Sequence, residues 1–351
     1  MAAPTPLNPQ RFFGEVGGDP VALFHLRHAN GMEVAVSNLG AKVLQILVPD
    51  RDGVPGDVAL GYDSLAALQA GAPSMGAFIG RYAGRIAQAR YTLDGTAYTL
   101  DANAGPHCIH GGPNGSRHRV FSAHQDAPDQ LTLRLRFEPS VDRHPGIVDL
   151  TLSYRLTDGH ALVIEHEAVA VCTASPASPA SFTPHIFFNL DGPGERLIDD
   201  HHLQVRADQL LAADADNVAT GERGPLDGHA LDLRRPRRLG ELPDIDHAYE
   251  LAGSTHGGLR RVAQAHSPVS GRTLDVWTTE PVMQVYTAGA LGTGAAPDIG
   301  KHGVVHRPRA GLCLEPQQYP NAMNCPGFPL NRVGMETPYR ARTEYRFGTR
   351  D

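Results

Sequence analysis

Two segments of this chain set an ionisable side chain inside an apolar frame. His185 lies in Phe182-Thr-Pro-His-Ile-Phe-Phe-Asn-Leu190, and Glu315 lies in Gly311-Leu-Cys-Leu-Glu-Pro-Gln-Gln-Tyr319. A carboxylate that ends an apolar strand is costly to bury unpaired. An imidazole in dry surroundings has its pKa lowered by desolvation and raised by a nearby carboxylate. One base and one acid of this kind can move two protons on a single small substrate without a metal or cofactor. Each residue also admits a plainer reading: His185 as a satisfied core histidine, Glu315 as a surface side chain.

The remaining histidines, of 18 in the chain, offer weaker signals. His107-Cys-Ile-His110 resembles half of a metal site, but residues three apart on a strand point to opposite faces. Asp199-Asp-His-His202 reads as a solvated turn, and Asp246-His247 as either a partner pair or a loop cap. There is no G-x-x-x-x-G-K-[ST], no third glycine beside the pairs at 192/194 and 292/294, no G-x-S-x-G and no H-E-x-x-H. Phosphate cradles, nucleotide cofactors and the commonest hydrolase nucleophiles find no support. We expect no cofactor and no metal.

The side chains that could do this work need a large scaffold. Of 351 residues, 41% are apolar and 20% charged, enough to bury a substantial core. The net charge of −7 offers no long-range attraction for nucleic acid or anionic membrane, and a neutral small substrate fits better. Cys108, Cys172, Cys313 and Cys325 show no C-x-x-C spacing, so they read as free thiols in a reducing compartment. The N-terminus lacks a basic stretch followed by an apolar one, and no run of about 18 apolar residues occurs. The expected location is cytoplasmic, as monomer or homodimer.

Short alternating runs between turn signals mark antiparallel β structure. Leu131-Thr-Leu-Arg-Leu-Arg-Phe137 puts its apolar residues on one face. Asp52-Gly53, Asp94-Gly95 and Asp158-Gly159 are hairpin turns, because Asp-Gly accepts positive φ. Ser64-Leu-Ala-Ala-Leu-Gln-Ala70 is a short helix with Ser64 as N-cap, and Thr173-Ala-Ser-Pro-Ala-Ser-Pro-Ala180 reads as a surface loop. The fold class is all-β, a large antiparallel β-sandwich with few short helices. The division is an N-terminal extension over 1–20 and one domain over 21–351.

An ordered series of segments resembles the aldose 1-epimerase (galactose mutarotase) family. Gly80-Arg-Tyr-Ala-Gly-Arg-Ile86 resembles G-R-x-A-N-R-I, Ile109-His-Gly-Gly112 resembles L-H-G-G, and Thr183-Pro-His-Ile-Phe-Phe-Asn-Leu190 resembles T-N-H-S-Y-F-N-L. Ile245-Asp-His-Ala-Tyr-Glu-Leu251 is similar to the D-H-N-F segment and Pro281-Val-Met-Gln-Val-Tyr-Thr287 to P-G-x-Q-x-Y-T. Gly311-Leu-Cys-Leu-Glu-Pro-Gln-Gln-Tyr-Pro-Asn-Ala322 is similar to G-x-x-L-E-x-Q-x-x-P-D-A. The resemblance implies the galactose mutarotase-like supersandwich. It implies Glu315 as general base, His185 as general acid, and Arg85, His110, Asp246 and Gln284 as sugar-binding groups. The implied substrate is a free aldose: galactose, glucose or a pentose such as arabinose. The sequence departs from the family at Gly84, commonly asparagine, and at Pro184 and Ile186, which flank the histidine and are expected to alter the wall around it. The competing readings are a non-catalytic sugar-binding or regulatory relative, an epimerase for a phosphorylated hexose, and metal-dependent sugar chemistry at the histidines.

Overall fold

The structure is a computed structural model that describes residues 5–171, 177–192, 196–253 and 258–350. Its frame is a nine-stranded, wholly antiparallel sheet. In spatial order the strands are Ser122–Ala127, Gln130–Phe137, Val148–Thr157, Ala161–Ala170, Tyr339–Thr349, Arg272–Thr278, Arg260–His266, His202–Val205 and Arg237–Arg238. Period-two patterning aims one face of each strand at the core: Leu131, Leu133, Leu135 and Phe137 are buried while Arg134 and Arg136 are exposed. A six-stranded sheet lies over it, in the order Phe187–Phe188, Leu312–Gln317, Val282–Tyr286, Asp246–Leu251, Ala207–Ala213 and Ala219–Pro225. A four-stranded sheet, Leu23–Arg27, Glu33–Ser37, Lys42–Pro49 and Pro55–Asp57, completes the sandwich. The fold class expected from the patterning is the one observed.

The local signals place their elements well. The Asp94-Gly95 turn joins Arg90–Leu93 to Thr96–Thr99, and Asp158-Gly159 joins the paired strands Val148–Thr157 and Ala161–Ala170. Asp52-Gly53 joins Lys42–Pro49 to Pro55–Asp57. The helix spans Leu65–Ala70, with the Ser64 hydroxyl accepting from the Ala67 N–H. Two expectations need correction. Within the stretch read as a surface loop, 172–176 lie outside the described residues, but Ser178–Pro179 pair with Arg332–Val333 and are buried. His201, expected in a solvated turn, is buried and its Nε2 meets the Leu190 N–H at 2.9 Å, because the 198–200 turn tucks it beneath the chain.

The two larger sheets are tied where the site needs rigidity. Tyr345, in the nine-stranded sheet, donates its hydroxyl to the Leu314 carbonyl at 2.7 Å, and its ring packs 4.9 Å from that of Phe188. The strand carrying Glu315 is therefore held from below. Cys108, Cys313 and Cys325 are buried free thiols; Cys172 lies outside the described residues. No described helix is long and apolar enough to cross a membrane.

Candidate active site

Register within the six-stranded sheet lines up one row of side chains after another. Gln284 sits opposite Glu315 on one side and Ala248 on the other. One step along, Phe187, Cys313, Tyr286 and Asp246 form a second row. Directly opposed residues share a face, and so do residues i and i+2. Glu315, Gln317, Gln284, Tyr286 and Asp246 thus project from one surface, which floors an open cleft.

Loops bring the opposite wall. The strand Thr183–Pro184 pairs with Phe78–Ile79, and the His185 N–H donates to the Ala77 carbonyl at 2.8 Å, fixing the imidazole at the cleft bottom. Its ring stacks on Phe187 at 5.1 Å between centroids. Ile109 pairs with Arg85, which sets His110 beside the same wall. His110 has φ +56°, a left-handed conformation that is costly for a non-glycine residue. Two bonds hold it there: its N–H donates to the Gly84 carbonyl at 3.1 Å, and the Gly84 N–H donates to its Nδ1 at 3.3 Å. Nδ1 being the acceptor, neutral His110 carries its hydrogen on Nε2.

All six residues singled out in the sequence, Arg85, His110, His185, Asp246, Gln284 and Glu315, line this cleft. His185 Nε2 stands 3.6 Å from Glu315 Oε2, with the two residues only 5% and 2% exposed. Glu315 Oε2 has no hydrogen bond among the described residues. Burial brings the His185 imidazole down to about 3, helped by the Arg117 charge, and pushes the Glu315 carboxyl well above its usual range, with Asp246 adding to the effect. Ordinary pKa values would give a carboxylate and a partly protonated imidazole; desolvation instead favours the neutral form of each. His110 is likewise held neutral, by burial first and then by His185, Arg117 and Arg85. Asp246 accepts from Gln284 Nε2 and Asn217 Nδ2, both at 2.6 Å, and Arg85 Nη1 stands 3.9 Å away.

The departures from the family pattern separate here. Gly84, at φ +79°, lies under Pro320, so a Cβ would come 3.0 Å from the proline's own Cβ. Pro184 and Ile186 do not form the cleft wall: both are buried, and Ile186 belongs to the main core, because residues on either side of His185 point the other way. Arg81, the first arginine of the Gly80–Ile86 segment, is also internal. It pairs with Asp142 at 2.8 Å and donates to the carbonyls of Pro145 and Gly146. Sequence reasoning missed Asn217, Arg117 and Phe187. Asn217 had one available signal, the turn-forming run Asp214-Ala-Asp-Asn217; Arg117 had none.

His185, Cys313 and Glu315 bring ligand atoms within 4.8 Å of one another. Burial and the neighbouring carboxyl groups hold the Cys313 thiol well above its ordinary pKa, and it is the thiolate that ligates.

The family model of aldose 1-epimerase matches residues 22–346. This chain belongs to the aldose 1-epimerase family. It is 35% identical to the galactose mutarotase of Homo sapiens over 349 residues, covering 95% of this chain and 97% of that one. To the aldose 1-epimerase of Escherichia coli it is 31% identical over 344 residues, covering 94% and 96%. Among solved structures, the aldose epimerase homologue from C. elegans superposes with a TM-score of 0.87 at 26% identity, covering 94% of this chain and all of that one. Galactose 1-epimerase from Lactobacillus acidophilus, at 21% identity and TM-score 0.80, shares the fold. Membership of the aldose 1-epimerase family makes the chain an isomerase of carbohydrate metabolism.

Proposed function

We propose that Glu315 and His185 form the base and acid with which this enzyme interconverts the α and β anomers of a free aldose. The reaction class follows from the family; the 3.6 Å approach of two buried, oppositely acting groups in one cleft is the observation that supports the assignment.

Ring opening needs a proton removed from the anomeric hydroxyl and a proton given to the ring oxygen as the bond from C1 to that oxygen breaks. Glu315 takes the first and His185 gives the second. Burial favours the pair's single proton on Glu315; moving that proton to His185 gives the carboxylate and imidazolium that act on the pyranose. Ring opening returns the pair to a carboxyl group and a neutral imidazole, so opening runs in the direction that the dry site stabilises and closure against it. Rotation about C1–C2 then presents the other aldehyde face, and closure reverses the roles. Each positioned proton transfer contributes about 10²–10⁴-fold. His110 donates through Nε2, Arg85 donates, and Asp246, fixed by Gln284 and Asn217, accepts from sugar hydroxyls.

The test is polarimetry on freshly dissolved α-galactose, α-glucose and arabinose with Glu315→Gln and His185→Asn. Both variants should fold, as judged by circular dichroism and urea unfolding, yet equilibrate the sugars no faster than buffer. Full activity in either variant overturns that residue's role.

A further inference from the structure

Asn217 lines the cleft but reaches it from a turn, not from a strand of the floor. It lies in the hairpin that joins Ala207–Ala213 to Ala219–Pro225, and the turn is braced from within. Asp214 Oδ1 accepts the N–H groups of Asp216 at 3.0 Å and Val218 at 2.9 Å, and the Asn217 N–H donates to the Asp214 carbonyl at 3.0 Å. Asn217 has φ +60°. Glycine enters that left-handed region freely and asparagine more readily than most side chains, but of the two only asparagine brings an amide. The amide is used. Nδ2 donates to Asp246 Oδ2 at 2.6 Å while Gln284 Nε2 donates to Oδ1 at 2.6 Å, so each carboxylate oxygen is pinned by one donor and keeps lone pairs for a sugar hydroxyl.

The same turn is tied to the opposite wall. His107 Nδ1 accepts the Gln88 N–H at 3.1 Å, which leaves the hydrogen of a neutral imidazole on Nε2, and Nε2 meets Asp216 Oδ2 at 3.3 Å. His107 is 5% exposed and directly precedes the Cys108–Ile109 strand that leads to His110. A second tie runs beside the first: Asn321 Nδ2 donates to the Ala219 carbonyl at 2.9 Å, and Asn321 Oδ1 accepts the Ala87 N–H at 3.0 Å. Ala87 directly follows the Arg85–Ile86 strand. The hairpin therefore rests on the segments that carry Arg85 and His110, while its Asn217 holds a carboxylate of the floor. Both ring nitrogens of His107, a histidine the proton transfers do not use, are engaged in this arrangement.

Resting on the reading of Asp246 as a sugar-binding group, we propose that Asn217 is a positioning residue for sugar recognition and that the His107–Asp216 contact is the clamp that delivers it. The sugar meets Asp246, and Asn217 acts through Asp246. A carboxylate held at one oxygen can turn about its own bond; held at both, it presents its free lone pairs in fixed directions before the sugar arrives. The effect falls on binding, because the protons are moved by Glu315 and His185 and the Asn217 amide bonds neither.

The experiment separates kcat from KM, by NMR exchange between the anomers of whichever of galactose, glucose and arabinose the wild type turns over fastest. The variants are Asn217→Gly, Asp216→Ala, Asp216→Asn and the double variant of Asp216→Ala with Asn217→Gly. Asn217→Gly deletes the amide where the backbone accepts glycine without strain. It should raise KM about tenfold, the value of one hydrogen bond to a charged group, and change kcat less than about threefold. Asp216→Ala should raise KM about threefold, and Asp216→Asn, which keeps an oxygen to accept from His107, should restore most of that loss. The double variant should bind no worse than Asn217→Gly alone, because the clamp acts through that amide. A turn that served only stability would lower the urea midpoint and kcat together, and its two substitutions would multiply. An unchanged KM in Asn217→Gly, a kcat that falls as much as KM rises, or multiplying losses in the double variant overturns the proposal and leaves the acid/base assignment standing. Wild type that equilibrates none of the three sugars faster than buffer overturns both.

Discussion

Glu315 and Glu280 are both 2% exposed and both have their pKa raised by burial, yet they are built for different ends. Glu280 lies under a second cavity, formed where Tyr339, Gln318 and His166 meet. One of its oxygens accepts the Tyr339 hydroxyl and the other accepts Gln318 Nε2 at 2.7 Å. Glu315 Oε2 accepts nothing among the described residues and looks across 3.6 Å at an imidazole. Burial alone does not separate a structural carboxylate from a reactive one. What separates them is whether the fold has already supplied its hydrogen-bond partners or has left that place for a substrate.

Exchanging the two tests the distinction most severely. Glu315→Gln should lower kcat by at least about 10³-fold, to the level of buffer, with little change in stability. Glu280→Met should keep kcat within about tenfold of wild type but lose about 1–3 kcal/mol in urea unfolding, since it strands two donors. Equal losses of activity would erase the difference drawn here.

The pH profile gives the next largest effect. The Glu315–His185 pair works while it holds one proton; once both sites are deprotonated, a base remains but no acid. Activity should therefore fall about tenfold per unit above the raised pKa of Glu315. On the acid side it should persist until His185, held near 3, takes a second proton. A bell centred on ordinary Glu and His values, near pH 5, would contradict the burial argument.

Asp246→Asn should raise KM about tenfold with a smaller change in kcat, because one amide hydrogen then opposes the donors of Gln284 and Asn217. Progress curves over a range of sugar concentrations would show it. The smallest effect concerns Glu280 itself. Its pKa rises from 4.5 to about 7, so the folded state binds a proton that the unfolded state has released. The stabilisation is complete below pH 4.5 and is lost as pH rises toward 7, by at most about 1.4 kcal/mol per unit. The stability gap between wild type and Glu280→Met should therefore narrow from pH 5 to pH 7.

Much of this was legible in the residues. Asp-Gly turns and the Leu131–Phe137 alternation are local steric and hydrophobic facts, and they placed their hairpins and buried face without reference to the rest of the chain. The cleft residues were legible only as an ordered series of motifs. Where reading failed, the cause was tertiary. His201 is polar and surrounded by polar residues in sequence, yet it is buried by a turn that nothing local requires. Pro184 and Ile186 flank His185 in sequence but face the core, because a strand alternates. Arg117 carried no local signal, since its place in the cleft depends on where the Ser116–His118 turn is packed.

The sequence by itself determined the class of fold, the turn positions and the residue types available for proton transfer, because period-two patterning and φ preferences act between near neighbours. Only the tertiary structure decided that Glu315, read from the sequence as a plain carboxylate base, is a desolvated carboxyl group facing a neutral histidine. That follows from which groups are excluded from water together, and it depends on sheets joined by residues more than a hundred positions apart.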